Sequence, residues 1–129
     1  MAGEPILVVD DNATNMKLLR VLLMTEGYDV RTAMDAKEAL AVLAQFRPKL
    51  ILMDVQLPGM SGLELTRQLK LDPATRDIVI VAVTAYAMKG DEERARAAGC
   101  DGYLSKPIDT RTLAAIIAKH LSAVRSGGT

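Results

Sequence analysis

Unbroken apolar runs, each followed by a stretch of helical spacing, constrain this chain more than any other feature. Ile6-Leu7-Val8-Val9, Leu50-Ile51-Leu52-Met53 and Ile78-Val79-Ile80-Val81-Ala82-Val83 leave no polar side for water. A strand apolar on both faces needs cover on both faces, the condition of a parallel sheet between helices. Tyr28-Asp29-Val30-Arg31-Thr32 alternates instead and suits an edge, and Gly102-Tyr103-Leu104 is a weaker fifth strand.

The intervening segments carry helix signals. One helix is predicted from about Thr14 to Glu26, with Met16, Leu19, Leu22 and Leu23 on one face and Gly27 as its stop. A second spans Asp35 to Phe46, before Pro48 prevents continuation. A third begins at Ser61, with Glu64 at the capping-box offset and Leu65 and Leu69 turned inward. The fourth, within "AMKGDEERARAAG", offers Ala95 and Ala98 but few large anchors, so it is expected to dock least firmly. The fifth runs from about Asp109 to Val124, with Leu113, Ile116, Ile117 and Leu121 at helical spacing. Strand and helix alternating five times with short connections predict an α/β sandwich with a parallel five-stranded sheet. The 129 residues suit one domain, with a core over about 5–124 and a frayed tail at 125–129.

Composition removes several function classes. Sixteen acidic and sixteen basic residues cancel, so no net charge argues for nucleic acid or an anionic membrane as partner. Only 3% of residues are aromatic, and most of the seven methionines are expected to serve packing. Cys100 is the sole cysteine, which excludes an internal disulfide and suits a small buried hydrophobe in a reducing compartment. Neither a membrane span nor a signal segment is evident, and a cytoplasmic protein is expected.

Open α/β sheets work beyond the carboxyl ends of their strands. Asp10 and Asp11 follow the first predicted strand, Asp54 the third, Thr84 the fourth and Lys106 the fifth. Taken alone, the acid pair fits a turn or helix cap, Thr84 an ordinary strand end and Lys106 a solvated surface. Together they place three carboxylates, a hydroxyl and an ammonium on one rim. Clustered carboxylates suit magnesium, and an adjacent ammonium and hydroxyl suit the anion of phosphoryl transfer. Asp54 is the candidate nucleophile, leaving Asp10 and Asp11 to hold the metal.

Over residues 5 to 124 the chain resembles the receiver domains of two-component response regulators. The resemblance is carried by Asp10-Asp11, Asp54 in "LMDVQLPGMSG", Thr84 in "AVTAY" and Lys106-Pro107 in "YLSKPI". The stretch "VTAYAMKGDEERARAAGCDGYLSKPID" is especially similar to receivers of hybrid sensor kinases and to single-domain cell-division regulators of the DivK type. The resemblance implies a flavodoxin-like (βα)5 three-layer sandwich with strand order 2-1-3-4-5. It implies that Asp54 accepts phosphoryl from a phosphohistidine of a histidine kinase or phosphotransfer protein. Asp11, Asp54 and the backbone carbonyl of Gln56 would be direct magnesium ligands, with Asp10 acting chiefly through water and manganese as a substitute ion. Lys106 would neutralise the phosphoryl oxygens, while Thr84 and Tyr103 would form the switch.

The family commonly has a cis peptide at Pro107, and it places a turn beyond the nucleophile that Gly59 and Gly62 suit. Gln56 and Tyr86 would flank the route of attacking water and tune dephosphorylation. The implied protein is a signalling phosphoacceptor that catalyses only its own phosphorylation and dephosphorylation, not a turnover enzyme. Its output would be an unknown downstream protein contacted through the fourth helix, fifth strand and fifth helix, by a monomer or weak homodimer. It is either a complete single-domain regulator or a receiver belonging to a larger kinase or regulator.

Two rivals share parts of this pattern. A flavin carrier of the same architecture wants a hydroxyl-rich phosphate loop and aromatic cover, but acids stand at the first loop and tryptophan is absent. An aspartate-nucleophile phosphatase usually carries a second aspartate two residues after the first, where this chain has Gln56. His120, late on the last predicted helix, is expected to lie far from the rim. The charges of "KGDEERARAAG" suit a solvated helix face, with Glu92 and Arg96 spaced to pair.

Overall fold

The computed structural model describes residues 3–84, 90–106 and 109–127. The apolar runs form strands β1 (Pro5–Val9), β2 (Asp29–Ala33), β3 (Leu50–Asp54), β4 (Val79–Thr84) and β5 (Gly102–Ser105). They alternate with helices α1 (Ala13–Thr25), α2 (Ala36–Leu43), α3 (Gly62–Leu71), α4 (Asp91–Ala98) and α5 (Thr110–Gly127). All neighbouring strands are parallel, in the order β2-β1-β3-β4-β5. The alternating strand is at one edge, and the continuously apolar strands are inside.

Period-two geometry explains why those inner strands are apolar throughout. Ile6 and Val8 join Leu50, Leu52, Val81 and Val83 against Leu19 and Leu23 of α1 and Leu113, Ile117 and Leu121 of α5. Leu7 and Val9 face the other way, joining Ile51, Met53 and Ile80 against Ala39 of α2, Leu65 and Leu69 of α3 and Ala95 of α4. Burying one such leucine contributes about 1.5–3 kcal/mol. A polar residue at either parity would leave an unsatisfied group inside a core layer.

Local chemistry sets the helix starts. Asn12 caps α1 through its side chain, which accepts from Asn15 N at 3.0 Å, and Asp35 caps α2 by accepting from Glu38 N at 2.8 Å. Ser61 caps α3, accepting from Glu64 N at 3.2 Å. Asp35 and Ser61 therefore stand just outside the helices they were predicted to begin. Helix α2 ends at Leu43, earlier than predicted, and Phe46 N still donates to Val42 O at 2.8 Å. Helix α5 continues to Gly127, past the predicted end near Val124, because no proline or earlier glycine interrupts it.

Packing by the methionines is partial. Met53 is fully buried and Met16 and Met60 pack against the core, whereas Met24 and Met34 are exposed. Cys100 is a buried free thiol, and burial pushes its pKa up, which suits the packing role expected of it. Among the described residues no helix is long and apolar enough to cross a membrane.

Candidate functional site

The strand ends deliver their polar residues to one rim. Asp10 follows β1 directly, with its backbone N donating to Ala33 O at 3.0 Å, so β2 fixes its position. Its Oδ1 accepts from Asn12 N at 2.8 Å, which ties the acid to the residue that caps α1. Asp54 is the last residue of β3, and its Oδ1 accepts from Gln56 N at 2.9 Å. The next residue is held as well, since Val55 N donates to Val83 O and Gly62 N donates to Val55 O, both at 2.9 Å.

Gly62 allows that turn to close. A Cβ at this position would lie 2.0 Å from the carbonyl oxygen of Asp54, closer than any atom can sit. The turn was legible in the glycines after Asp54, but this close approach was not, because it depends on where α3 starts relative to β3. Gly59, with φ +77°, supplies the left-handed residue of the same turn. Asn12 is a second contributor that the sequence reading did not single out. Its position after the acid pair, at the start of a helical pattern, was the available signal.

Asp10, Asp11 and Asp54 bring one carboxylate oxygen each to within 4.8 Å of one another. Asp10 and Asp54 are buried and Asp11 is exposed, so the cluster has a closed floor and an open side. Lys106 Nζ lies 3.5 Å from Asp10 Oδ2 and 3.4 Å from Asp54 Oδ2. Among the described residues, one ammonium stands against two of the three carboxylates of this cluster, which leaves a local negative excess. Burial is the main cause that pushes the Asp54 pKa up; Gln56 N–H and Lys106 oppose it, and Asp10 adds to it. This hard-oxygen set, short of positive charge, fits a magnesium ion by donor type and spacing.

Thr84 is buried at the end of β4, and its carbonyl accepts from Lys106 N at 2.7 Å, so β4 and the lysine are locked together. Tyr103 lies half-buried on β5, in register with Ala82. His120 packs its ring against Gly102, the first residue of β5, at the end of the strand away from Lys106. Its predicted distance from the rim follows from that packing. Pro107 and Tyr86 lie outside the described residues.

A parallel 2-1-3-4-5 sheet with an acid cluster and a lysine at its carboxyl edge defines a class, and comparison with known proteins agrees. The family model described as the response regulator receiver domain matches residues 6–118. The chain is 48% identical over 118 residues to the polar-differentiation response regulator DivK of Brucella anthropi, covering 92% of this chain and 96% of that protein. It is 47% identical to DivK of Brucella ovis over the same shares of each chain.

Solved structures are similar too. A CheY-like response regulator receiver domain from Methanospirillum hungatei superposes with a TM-score of 0.88 at 32% identity, covering 98% of this chain and 99% of that one. The receiver domain of sensor histidine kinase PA1611 from Pseudomonas aeruginosa, solved with magnesium coordinated in its active-site cleft, gives 0.85 at 34% identity, covering 94% and 99%. This chain belongs to the response regulator receiver domain family, whose general function is to accept a phosphoryl group in two-component signalling.

Proposed function

We propose that this receiver takes a phosphoryl group from a phosphohistidine onto Asp54, in a magnesium-dependent step, and uses the new charge to change a protein-binding face. The observation that carries the reading is the convergence of Asp10, Asp11 and Asp54 within 4.8 Å, with Lys106 beside two of them. An Asp54 carboxylate oxygen attacks phosphorus, the phosphorus–nitrogen bond of the donor breaks, and the imidazole nitrogen keeps the electron pair. Asp11, Asp54 and the Gln56 backbone carbonyl would hold magnesium, with Asp10 acting chiefly through water. When bound, the ion offsets the carboxylates' mutual repulsion and the charge on the transferred group. Lys106 stabilises the same oxygens from its position against Asp54.

The product replaces one negative charge at Asp54 with a more highly charged group that has more acceptor oxygens. Thr84, at the end of the adjacent strand, donates its hydroxyl to it, and Tyr103 moves inward into the space released. Gln56 and Tyr86 tune hydrolysis of the acyl phosphate, which returns the chain to its resting state. The altered face comprises α4, β5 and α5, read by a downstream protein, and the donor is a histidine kinase or phosphotransfer protein.

Intact mass after exposure to acetyl phosphate, with a fast quench, tests this reading. A phosphate adduct that needs magnesium and is lost in Asp54→Asn is expected. An adduct that survives in Asp54→Asn would refute the assignment of the acceptor.

A further inference from the structure

A second polar groove lies at the open edge of the sheet and shares no residue with the acid rim. It has a volume of about 610 Å³ and is bounded by α1, β2 and the end of α2, with Arg20, Val30, Arg31, Thr32, Gln45 and Phe46 among its walls. Among the described residues, two arginines line it and no aspartate or glutamate does. That imbalance selects an anion, in a space of the size that holds small organic ligands.

Two further features define the ligand. The Arg31 guanidinium carbon lies over the Phe46 ring, 4.9 Å from its centroid, and Arg31 is exposed, so this cation–aromatic pair is available to a second planar group. Asp29 N donates inward to Glu4 O, and Ala33 O accepts inward from Asp10 N, both at 3.0 Å. By parallel-strand alternation, the peptide groups of Val30 and Thr32 therefore point out into the groove. Two residues provide too short an edge to hold an added strand, but they offer the paired donor and acceptor that a nucleobase edge can match.

We propose that this groove binds a nucleotide, with its phosphate on Arg20, its base stacked on the Arg31–Phe46 pair and the base edge against the outward peptide groups of Val30 and Thr32. The phosphate contact comes from α1, the base edge from β2 and the stacking pair from β2 and the segment after α2, so the site exists only in the folded sheet.

Amide-resolved NMR titration of the whole chain in magnesium-free buffer tests this. The probes are AMP, GMP, adenosine and inorganic phosphate. Saturable shifts at Val30, Thr32 and Gln45 are expected with AMP or GMP at roughly millimolar concentration or below. Adenosine and phosphate should each bind at least about tenfold more weakly, as expected when a charge-assisted contact or the stacking group is missing. Arg20→Gln and Arg31→Gln should each weaken nucleotide binding about tenfold, while the amides of β3 and β4 stay in place and report an intact fold. Absence of saturable shifts in the groove, unchanged binding in both variants, or a fragment that binds as tightly as the nucleotide would overturn the proposal.

Discussion

The rim at β1 and β3 and the helix beside β5 are built on opposite terms. Asp10 and Asp54 are each pinned by a side-chain hydrogen bond from a following backbone N–H, one directly after β1 and the other at the end of β3, and both strands are buried on two faces. Helix α4 is held by Ala95 and Ala98, starts at Gly90 without a side-chain cap, and ends at left-handed Gly99. Loss of contact area is the larger part of the difference, since an alanine buries far less apolar surface than a leucine. A change of charge at the rim thus meets a stiff floor, and motion is cheapest where packing is thin.

One contact keeps α4 from being loose altogether. Lys70 Nζ donates to Ile78 O at 2.7 Å and to Asp101 Oδ2 at 3.0 Å, and the same Asp101 oxygen accepts from Ile80 N at 2.9 Å. A Cβ at Gly99 would meet the Lys70 side chain at 2.8 Å. The lysine thus clamps the end of α4 to the start of β4, so α4 is tethered at its C-terminal end and lightly packed elsewhere.

Four substitutions would break or sharpen the contrast. The largest effect is expected from Gly62→Ala, which forces a Cβ onto the Asp54 carbonyl; a loss of about 2–4 kcal/mol in urea unfolding should result. Lys106→Met comes next. It leaves Asp10 and Asp54 buried without their ammonium and should cost about 1–3 kcal/mol at neutral pH without magnesium. That loss should shrink in acid, as Asp54, whose pKa is raised chiefly by burial, takes up a proton.

Asp54→Asn should act in the opposite direction, raising metal-free stability by about 1 kcal/mol at pH 7. The sign follows from the raised pKa of Asp54. Between the unfolded and folded values the native state holds more protons, so stability falls as pH rises through that window. Above the window the cost of the buried charge is fully present, and the asparagine variant should lack this slope in unfolding measured against pH. The smallest effect belongs to Glu92→Ala, which removes the exposed 2.9 Å pair with Arg96 on α4 and should cost only about 0.3–0.5 kcal/mol in thermal unfolding.

The legible parts of this molecule were those where one residue type has one physical solution. Ile6–Val9 and Leu50–Met53 could only be strands covered twice, and acids at their ends could only face the sheet's open rim. The helix ends were less legible, because Asp35 and Ser61 serve as caps outside the helix while fitting its sequence pattern. Gly62's close approach, the Lys70 clamp and the Arg20–Arg31 groove were not legible. Each joins residues from separate elements whose meeting is set by packing, with no local spacing to announce it.

Hydrogen exchange followed by mass spectrometry, on the chain with magnesium before and after acetyl phosphate, tests the coupling between rim and helix most directly. Phosphorylation should change exchange rates in α4 and β5 while β1 and the body of β3 keep their slow exchange. An adduct on Asp54 that leaves α4 and β5 unchanged, or that alters β1 as much as α4, would contradict the account.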